Sequence, residues 1–268
     1  MQTEPPWQLK MFRKSLKKQL KVKALSTHFG DLTGKQCLLV TCGDNNGAMN
    51  YYLRQIGGAW TWADFEETCL AEMQELLHDK VHLVDKMEAK LPFADQHFDL
   101  VVSIDVHEHL HDPLPMTQEL YRIVKAHGKI VVTTPNGNEK KLAVRIKHLV
   151  GMSAKTYGHV RVGFDIPELE ALLTAANLRP GRSSSYAKFF TEMVELAINF
   201  VYVKILSKKS QAQVEEGTIA PTTREQLQSV QKSYRLYALV YPLFWSISQL
   251  DRLLFFVRGY AVIVEGTR

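Results

Sequence analysis

The sequence predicts an α/β fold built on a doubly wound, seven-stranded and mostly parallel sheet. From Lys35 onward, short apolar runs alternate with helical patterns, the order expected of a parallel sheet with helices on both faces. The runs are apolar without a polar alternation, as in strands that are covered on both faces. An N-terminal amphipathic helix and a helical insertion before the last strand complete the predicted architecture.

Seven strands are predicted from short apolar or β-branched runs bounded by turn residues. They cover Gln36–Thr41, Ala59–Ala63, Val81–Val84, Phe98–Ile104, Lys129–Thr134, Arg179–Ala187 and Gly259–Glu265. Helical patterns follow the first, second, fourth and fifth of these strands. They cover Met49–Ile56, Glu66–Leu77, Pro113–Lys125, Glu139–Val150 and Pro167–Ala176.

The composition is that of a globular protein. Among 268 residues, 46% are hydrophobic and 23% are charged, which excludes a disordered chain, a collagen-like fibre and a coiled-coil rod. Cys37, Cys42 and Cys69 show no metal-type C-x-x-C spacing, and the N-terminus lacks the apolar core of a secretory signal. We therefore expect a cytoplasmic protein, and peripheral contact with the inner face of the membrane is a further hypothesis.

Positive charge is concentrated near the N-terminus. The 33 Lys and Arg residues against 28 Asp and Glu residues give a formal net charge of +5. Leucines and Phe12 interleave with the basic residues, a pattern typical of an amphipathic helix that meets anionic phospholipid or nucleic acid. A solvated helix across the domain edge is the alternative. The basic residues are Lys10, Arg13, Lys14, Lys17, Lys18, Lys21 and Lys23.

The sequence divides into three segments. Residues 1–33 form the basic helix, residues 34–187 and 258–268 the core, and residues 188–257 the helical insertion, with a polar linker at 207–226. Charged residues interrupt both apolar stretches of the insertion, so we expect a helical cap rather than membrane-spanning helices. The cap either packs on the sheet or presents aromatic surface to a membrane or to an amphipathic substrate.

The first two strands end in residues suited to a nucleotide ligand. In a doubly wound sheet, ligands bind beyond the carboxyl ends of the strands. The first strand is followed by Thr41-Cys42-Gly43-Asp44-Asn45-Asn46-Gly47, in which glycines permit close backbone approach to a ligand. Asp64 ends the second strand, where a carboxylate can accept hydrogen bonds from ribose hydroxyls. A helix N-cap is the alternative role of Asp64.

A longer series of motifs resembles the class I S-adenosylmethionine-dependent methyltransferases. It reads LPF…FDLVVSIDVHEHLHDP…ELYRIVKAHGKIVVTTPN, and the resemblance extends from about Gly34 to Arg179. Within that class it is most similar to the group of the ubiquinone-biosynthesis O-methyltransferases. The resemblance implies S-adenosylmethionine as the cofactor. It places Gly43, Asp44 and Gly47 under the methionine part, Asp64 on the ribose, Met87, Glu88 and Phe65 around the adenine, and Asp105 facing the reacting methyl.

The glycine turn departs from the family pattern of an acid and three alternating glycines. Anchored at Gly43, the acid becomes Thr41 and the middle glycine becomes Asn45. Anchored on Cys42-Gly43, the first glycine becomes Thr41 and the acid becomes Leu39. An alternative hypothesis follows, in which the protein is a catalytically inactive, methyltransferase-like binding or scaffold protein.

The segment after the fourth strand carries the candidate chemistry. Some members of the resembled class have acid-x-x-Glu-His there, and this motif holds Mg²⁺. The matching residues are Asp105, Glu108 and His109, and His159 is a candidate fourth ligand of a divalent metal. In the alternative, Glu108 contacts the substrate and His109, or else His107, is the general base.

The function expected from this resemblance is methyl transfer to an oxygen of an amphipathic or lipid-linked small molecule. Nucleic acid is not expected as the acceptor, because the basic residues lack interleaved stacking aromatics.

Overall fold

The computed structural model describes residues 4–43, 45–85, 88, 90–206 and 220–268, and it confirms the predicted fold class. Asp44, Met87 and residues 207–219 of the predicted linker lie outside the described residues. The strands are β1 (Gln36–Thr41), β2 (Ala59–Asp64), β3 (Val81–Leu83), β4 (Phe98–Ile104), β5 (Val124–Pro135), β6 (Arg179–Tyr186) and β7 (Ala261–Thr267).

One sheet contains all seven of these strands, in the order β3-β2-β1-β4-β5-β7-β6. Strand β7 is antiparallel to both of its neighbours, whereas the pairs from β3 to β5 are parallel. The order reverses between β1 and β4, so the carboxyl ends of these two strands mark the edge at which ligands bind in such sheets.

The helices cover both faces of the sheet. They are α1 (Trp7–Phe12), α2 (Leu16–Phe29), α3 (Ala48–Arg54), α4 (Leu70–Leu77), α5 (Leu114–Ile123), α6 (Leu142–Leu149), α7 (Ile166–Ala175), α8 (Phe189–Phe200), α9 (Arg224–Ser229) and α10 (Gln231–Ser248). Buried side chains of α5 and α7 fill the core on one face, and those of α1 to α4 fill the core on the other. The three-segment division stays a prediction.

The N-terminal segment differs in detail from the single basic helix of the prediction. It contains two helices, α1 and α2, with a break at 13–15. Helix α2 buries Leu16, Leu25 and Phe29, and it also buries the aliphatic and ammonium parts of Lys21. The reason is that α2 packs against α3, α8 and β6, so part of its basic face is turned towards the protein rather than towards solvent.

The predicted insertion forms a helical cap. Asp251, near the end of the insertion, is bonded to the start of the insertion. The Asp251 carboxylate accepts hydrogen bonds from the backbone N–H groups of Lys188, Phe190 and Thr191 at the start of α8. Helix α10 packs on α8 and on the N-terminal helices around Leu16 and Tyr241. Among the described residues, no helix has both the length and the apolar composition needed to cross a bilayer.

Candidate active site

A cavity of about 640 Å³ lies at the carboxyl edge of the sheet. Its floor comes from the ends of β1, β4 and β5, and its roof comes from α2, α8 and α10. This volume lies within the range of small-molecule sites in proteins, roughly 300–1,000 Å³. The residues that matter for its chemistry are Thr41, Gly43, Glu66, Asp105, Glu108, His109 and His159.

Gly43 forms part of the floor in a conformation that favours glycine. Its φ is +66°, and a Cβ atom there would lie 2.9 Å from the Cγ of Glu66. The chain therefore approaches the segment after β2 more closely than another residue would allow. Gly47, with φ +85°, ends the same turn.

Asp64 lies beneath this floor and is not among the described residues that line the cavity. Its side chain is fully buried and accepts hydrogen bonds from the hydroxyl of Thr41 and from two backbone N–H groups, those of Gly43 (2.9 Å) and Glu66 (2.8 Å). Burial raises the pKa of Asp64, and these three donors partly offset the effect. The carboxylate thus ties the end of β1 to the end of β2.

Two asparagines fill the turn that follows Gly43. The Asn45 side-chain oxygen accepts from the N–H of Gly47 (3.1 Å), and the Asn46 oxygen accepts from the N–H of Ala48 (3.3 Å). Both asparagines are buried. Two of the backbone donors of this turn, those of Gly47 and Ala48, are therefore bonded to the turn's own side chains.

Glu66 presents a carboxylate to the cavity next to Gly43. Of the two acids at the end of β2, Glu66 lines the cavity, whereas Asp64, the residue predicted for the ribose, does not. The remaining residues predicted around the cofactor lie elsewhere: Phe65 is buried in the core, and Glu88 is an exposed turn residue outside the cavity lining.

Asp105 follows β4 with a left-handed φ of +50° and lines the cavity. Its carboxylate forms an ion pair with the ammonium of Lys21 from α2. Burial acts to raise the pKa of Asp105, but Lys21 outweighs it and the pKa is lowered. Helix α2 is therefore joined to the strand that carries the candidate catalytic residues.

His107 points away from the cavity into the core. Its side chain is fully buried, and its ring nitrogens lie 3.4 Å from the hydroxyl oxygen of Ser103 and 3.2 Å from that of Thr117. Burial lowers its pKa to about 4, so the ring is neutral at physiological pH. The structure thus separates His107 from Glu108 and His109, which line the cavity.

Glu108, His109 and His159 converge in the cavity wall. One potential ligand atom from each lies within 4.8 Å of the other two. Both carboxylate oxygens of Glu108 are buried without a hydrogen-bond partner among the described residues, and burial followed by repulsion from Asp105 raises its pKa well above the usual value. Asp105, the remaining predicted metal ligand, is outside this group.

A hydrogen bond to a backbone carbonyl determines which ring nitrogen of His109 carries the proton. Its Nδ1–H donates to the carbonyl of Gly158 at 2.9 Å, so in the neutral ring Nε2 carries the lone pair. His159 lies edge-on to the His109 ring with 4.7 Å between ring centroids. Burial is the main cause that lowers the pKa of His159 to about 3, and the charge of the neighbouring His109 adds to this effect.

A buried ionic cluster lies on the roof side of the cavity. Glu192 of α8 is 1% exposed and forms ion pairs with Lys17 of α2 and Lys147 of α6. Burial acts to raise the pKa of Glu192, but the two lysines outweigh it and lower the pKa to about 2. Sequence reasoning missed this cluster, because nothing in the pattern of α2 indicates partners more than a hundred residues away.

Comparison with known proteins gives a consistent picture. Residues 38–132 match the family model described as "Methyltransferase domain". The ubiquinone biosynthesis O-methyltransferase of Pseudomonas entomophila is 32% identical over 121 residues, which are 43% of this chain and 50% of that protein. A Mycobacterium tuberculosis protein named "Probable S-adenosylmethionine-dependent methyltransferase" is 30% identical over 106 residues, 39% of this chain and 37% of that protein.

Residues 38–132 are therefore similar to the methyltransferase-domain family. Solved methyltransferases share the fold of this protein over nearly the whole chain. One from Thermotoga maritima has a TM-score of 0.57 at 14% identity and covers 96% of this chain and 93% of its own. One from Mesorhizobium loti has a TM-score of 0.54 at 12% identity and covers 92% and 96%. By contrast, the chain spans half or less of the length of the two sequence relatives from Pseudomonas entomophila and Mycobacterium tuberculosis.

Proposed function

We propose that the protein transfers the methyl group of S-adenosylmethionine to an oxygen of an amphipathic or lipid-linked small molecule. One observation carries the proposal: a single cavity contains both the Gly43 turn and His109, and thus the cofactor side and the acceptor side of the reaction. The relatives named as ubiquinone biosynthesis O-methyltransferases support the choice of oxygen.

The residues on the sheet side fit an adenosyl ligand in their donor set. Gly43 leaves the floor free of a side chain, and the carboxylate of Glu66 beside it is suited to accept hydrogen bonds from ribose hydroxyls. When bound, S-adenosylmethionine supplies a methyl group on a sulfonium, which is a good leaving group. The protein's task is then to orient the acceptor on the sulfur–carbon axis and to exclude water.

His109 is the proposed general base for a hydroxyl acceptor. Because Nδ1–H donates to Gly158, the Nε2 lone pair is the one suited to take the hydroxyl proton. Glu108 beside it is proposed to contact the same hydroxyl, since its two oxygens have no protein partner among the described residues.

A divalent cation is the competing arrangement for the same residues. One carboxylate and two imidazoles favour a transition metal over Mg²⁺, which prefers oxygen ligands. Glu108, His109 and His159 would then hold the ion, which supplies Lewis acidity at the acceptor oxygen. Titration calorimetry with Mn²⁺ and with Mg²⁺ separates the two arrangements. Tight Mn²⁺ binding lost in His159→Ala supports the metal, and no binding supports His109 as the base.

The roof of the cavity favours an amphipathic acceptor. Tyr234, Tyr237 and Phe244 supply aromatic surface there, whereas Lys17 and Glu192 supply charged groups in the same roof. An acceptor with one polar and one apolar part matches this division.

The test is transfer of tritium from S-adenosyl-[methyl-³H]methionine to a total lipid extract. We expect label in the organic phase, lost in His109→Ala and retained in His111→Ala, whose exposed side chain lies outside this cavity. Alkaline hydrolysis then separates methyl esters from methyl ethers. Label on nitrogen, or equal transfer by His109→Ala, would contradict the proposal.

The second candidate is the catalytically inactive scaffold, which the Asn45 and Asn46 contacts favour. These side chains cover turn N–H groups that a cofactor would otherwise use. Under this alternative, the chain would bind no S-adenosylmethionine and would transfer no label.

A further inference from the structure

Helix α10 and the turn after it carry a group of large apolar side chains that are exposed to solvent. We define the outer apolar face as Leu239, Leu243, Leu250, Leu253, Phe255 and Phe256. Phe255 is 83% exposed, Leu239 76% and Phe256 73%. Scattered exposed leucines are ordinary, but a group of this size on one element marks an interaction surface.

The inner side of α10 packs against other parts of the protein. Tyr241 and its neighbours Tyr237, Phe244 and Ile247 form a small core with Leu16 and Val194. The Tyr237 and Tyr241 hydroxyls are bonded to the N-terminal segment, Tyr237 to the Lys14 carbonyl and Tyr241 to the Gln19 amide. The outer apolar face is therefore not needed to hold α10 in place.

The charges around the face are of one sign. Residues 231–258 contain Lys232, Arg235, Arg252 and Arg258, and each of these is exposed. The single acid of this stretch is Asp251, and its carboxylate is occupied by the backbone of α8. Apolar side chains ringed by cations are complementary to a bilayer with anionic headgroups.

The cavity reaches this face. Leu236 lines the cavity and is also 63% exposed, one turn of α10 before Leu239 and two turns before Leu243. Val201, which is 42% exposed, lines the cavity as well. A molecule resting in a lipid surface against the face would be close to an opening of the cavity.

We infer that the outer apolar face docks on an anionic lipid surface and brings the cavity to the membrane in which the acceptor resides. The inference extends the proposed function, and only the source of the acceptor rests on that proposal. The docking is measured without substrate. Its failure is therefore distinguishable from a failure of cofactor binding or of methyl transfer.

Vesicle flotation of the full chain tests the inference. Vesicles of phosphatidylcholine with about 30% phosphatidylglycerol should carry the protein upward, and pure phosphatidylcholine should carry much less. Leu239→Ser/Phe255→Ser/Phe256→Ser should lower partitioning by about tenfold or more, because it removes the three most exposed side chains of the face. Arg235→Gln/Arg252→Gln should lower it roughly fivefold per charge, on anionic vesicles alone.

Leu83→Ser is the matched control for Leu239→Ser. Leu83 is 49% exposed on β3, at the opposite edge of the sheet from β6. We expect flotation to fall in Leu239→Ser and to stay unchanged in Leu83→Ser, while circular dichroism melting shows that both variants fold.

Three results would overturn the inference. The first is a wild-type chain that stays with the soluble fraction in the presence of anionic vesicles. The second is equal flotation of the triple serine variant and the wild type. The third is a dimer in size-exclusion light scattering that the triple variant abolishes without any vesicle binding, since the face would then belong to a second copy of the chain.

Discussion

Asp64 and Glu108 are both buried carboxylates at the carboxyl edge of one sheet, but their surroundings are opposite. Asp64 follows β2 and accepts from three protein donors. Glu108 follows β4, and its oxygens have no hydrogen-bond partner among the described residues. Burying a polar group without partners is unfavourable, so such a group persists where its partner is a ligand. The contrast shows that Asp64 organises the turn, and it supports the proposal that Glu108 contacts a ligand.

The largest effect is expected from Glu108→Gln. Methyl transfer should fall by about 100-fold or more, since the acceptor loses a contact aligned with His109. The melting temperature should stay equal or rise, because the carboxyl that the amide replaces is buried and makes no hydrogen bond to the described protein residues. Rates and thermal unfolding of the same preparation check both statements. A lower melting temperature with an unchanged rate would make Glu108 a structural residue and break the contrast with Asp64.

Glu192 is a third buried carboxylate to compare with Asp64 and Glu108, and it forms ion pairs with two lysines. Its folded pKa of about 2 lies below the ordinary value of 4.5, so the stabilisation is present above pH 4.5 and is lost as pH falls towards 2. At pH 7, Glu192→Gln should lower the free energy of unfolding by about 3 kcal/mol.

The check is denaturant unfolding of wild type and Glu192→Gln at several pH values. The difference between them should shrink steadily below pH 4.5. A difference that is constant with pH would show that the ion pairs with Lys17 and Lys147 are not its source.

Asp64→Asn should lower the free energy of unfolding by less than Asp64→Ala does. Asp64→Ala leaves three donors without an acceptor and should lower the free energy of unfolding by about 2 kcal/mol. In Asp64→Asn, the amide oxygen can still accept from the N–H groups of Gly43 and Glu66, and the NH₂ can donate to Thr41. Urea unfolding of both variants decides this. Equal losses would mean that the charge itself is required.

The smallest expected effect is a change in cofactor affinity, which tests whether Glu66 or Asp64 binds the ribose. Glu66→Gln should weaken S-adenosylmethionine binding by about tenfold, or 1.4 kcal/mol, with no change in stability. Asp64→Asn should leave the affinity within about threefold of wild type, because the side chain lies outside the described cavity lining. The reverse order of affinities would assign the ribose to Asp64.

The strands of the parallel core and the candidate catalytic segment after β4 could be predicted from the sequence, because both depend on local patterns. The apolar run Phe98–Ile104 followed by Glu108 and His109 places those two residues at a carboxyl strand end in any doubly wound sheet. The separation of His107 from them was not predictable, because it depends on which way a short helical turn rotates each side chain.

The roof of the cavity could not be predicted either. Its ion pairs join α2 to α8 and to β4, over sequence separations of 175 residues for Lys17–Glu192 and 84 for Lys21–Asp105. The basic pattern of α2 therefore indicated a surface helix, although Lys21 is buried. Likewise, the sequence could not indicate that Glu66 lines the cavity while Asp64 lies beneath it, because this depends on the direction of each side chain.

Calorimetric titration of the full chain with S-adenosylmethionine tests the central claim most directly. If the space beside Gly43 and Glu66 accepts the cofactor, the titration gives a saturable isotherm with a micromolar dissociation constant. An absence of heat up to millimolar cofactor, from a chain whose melting curve shows that it is folded, would contradict the claim and leave the scaffold in its place.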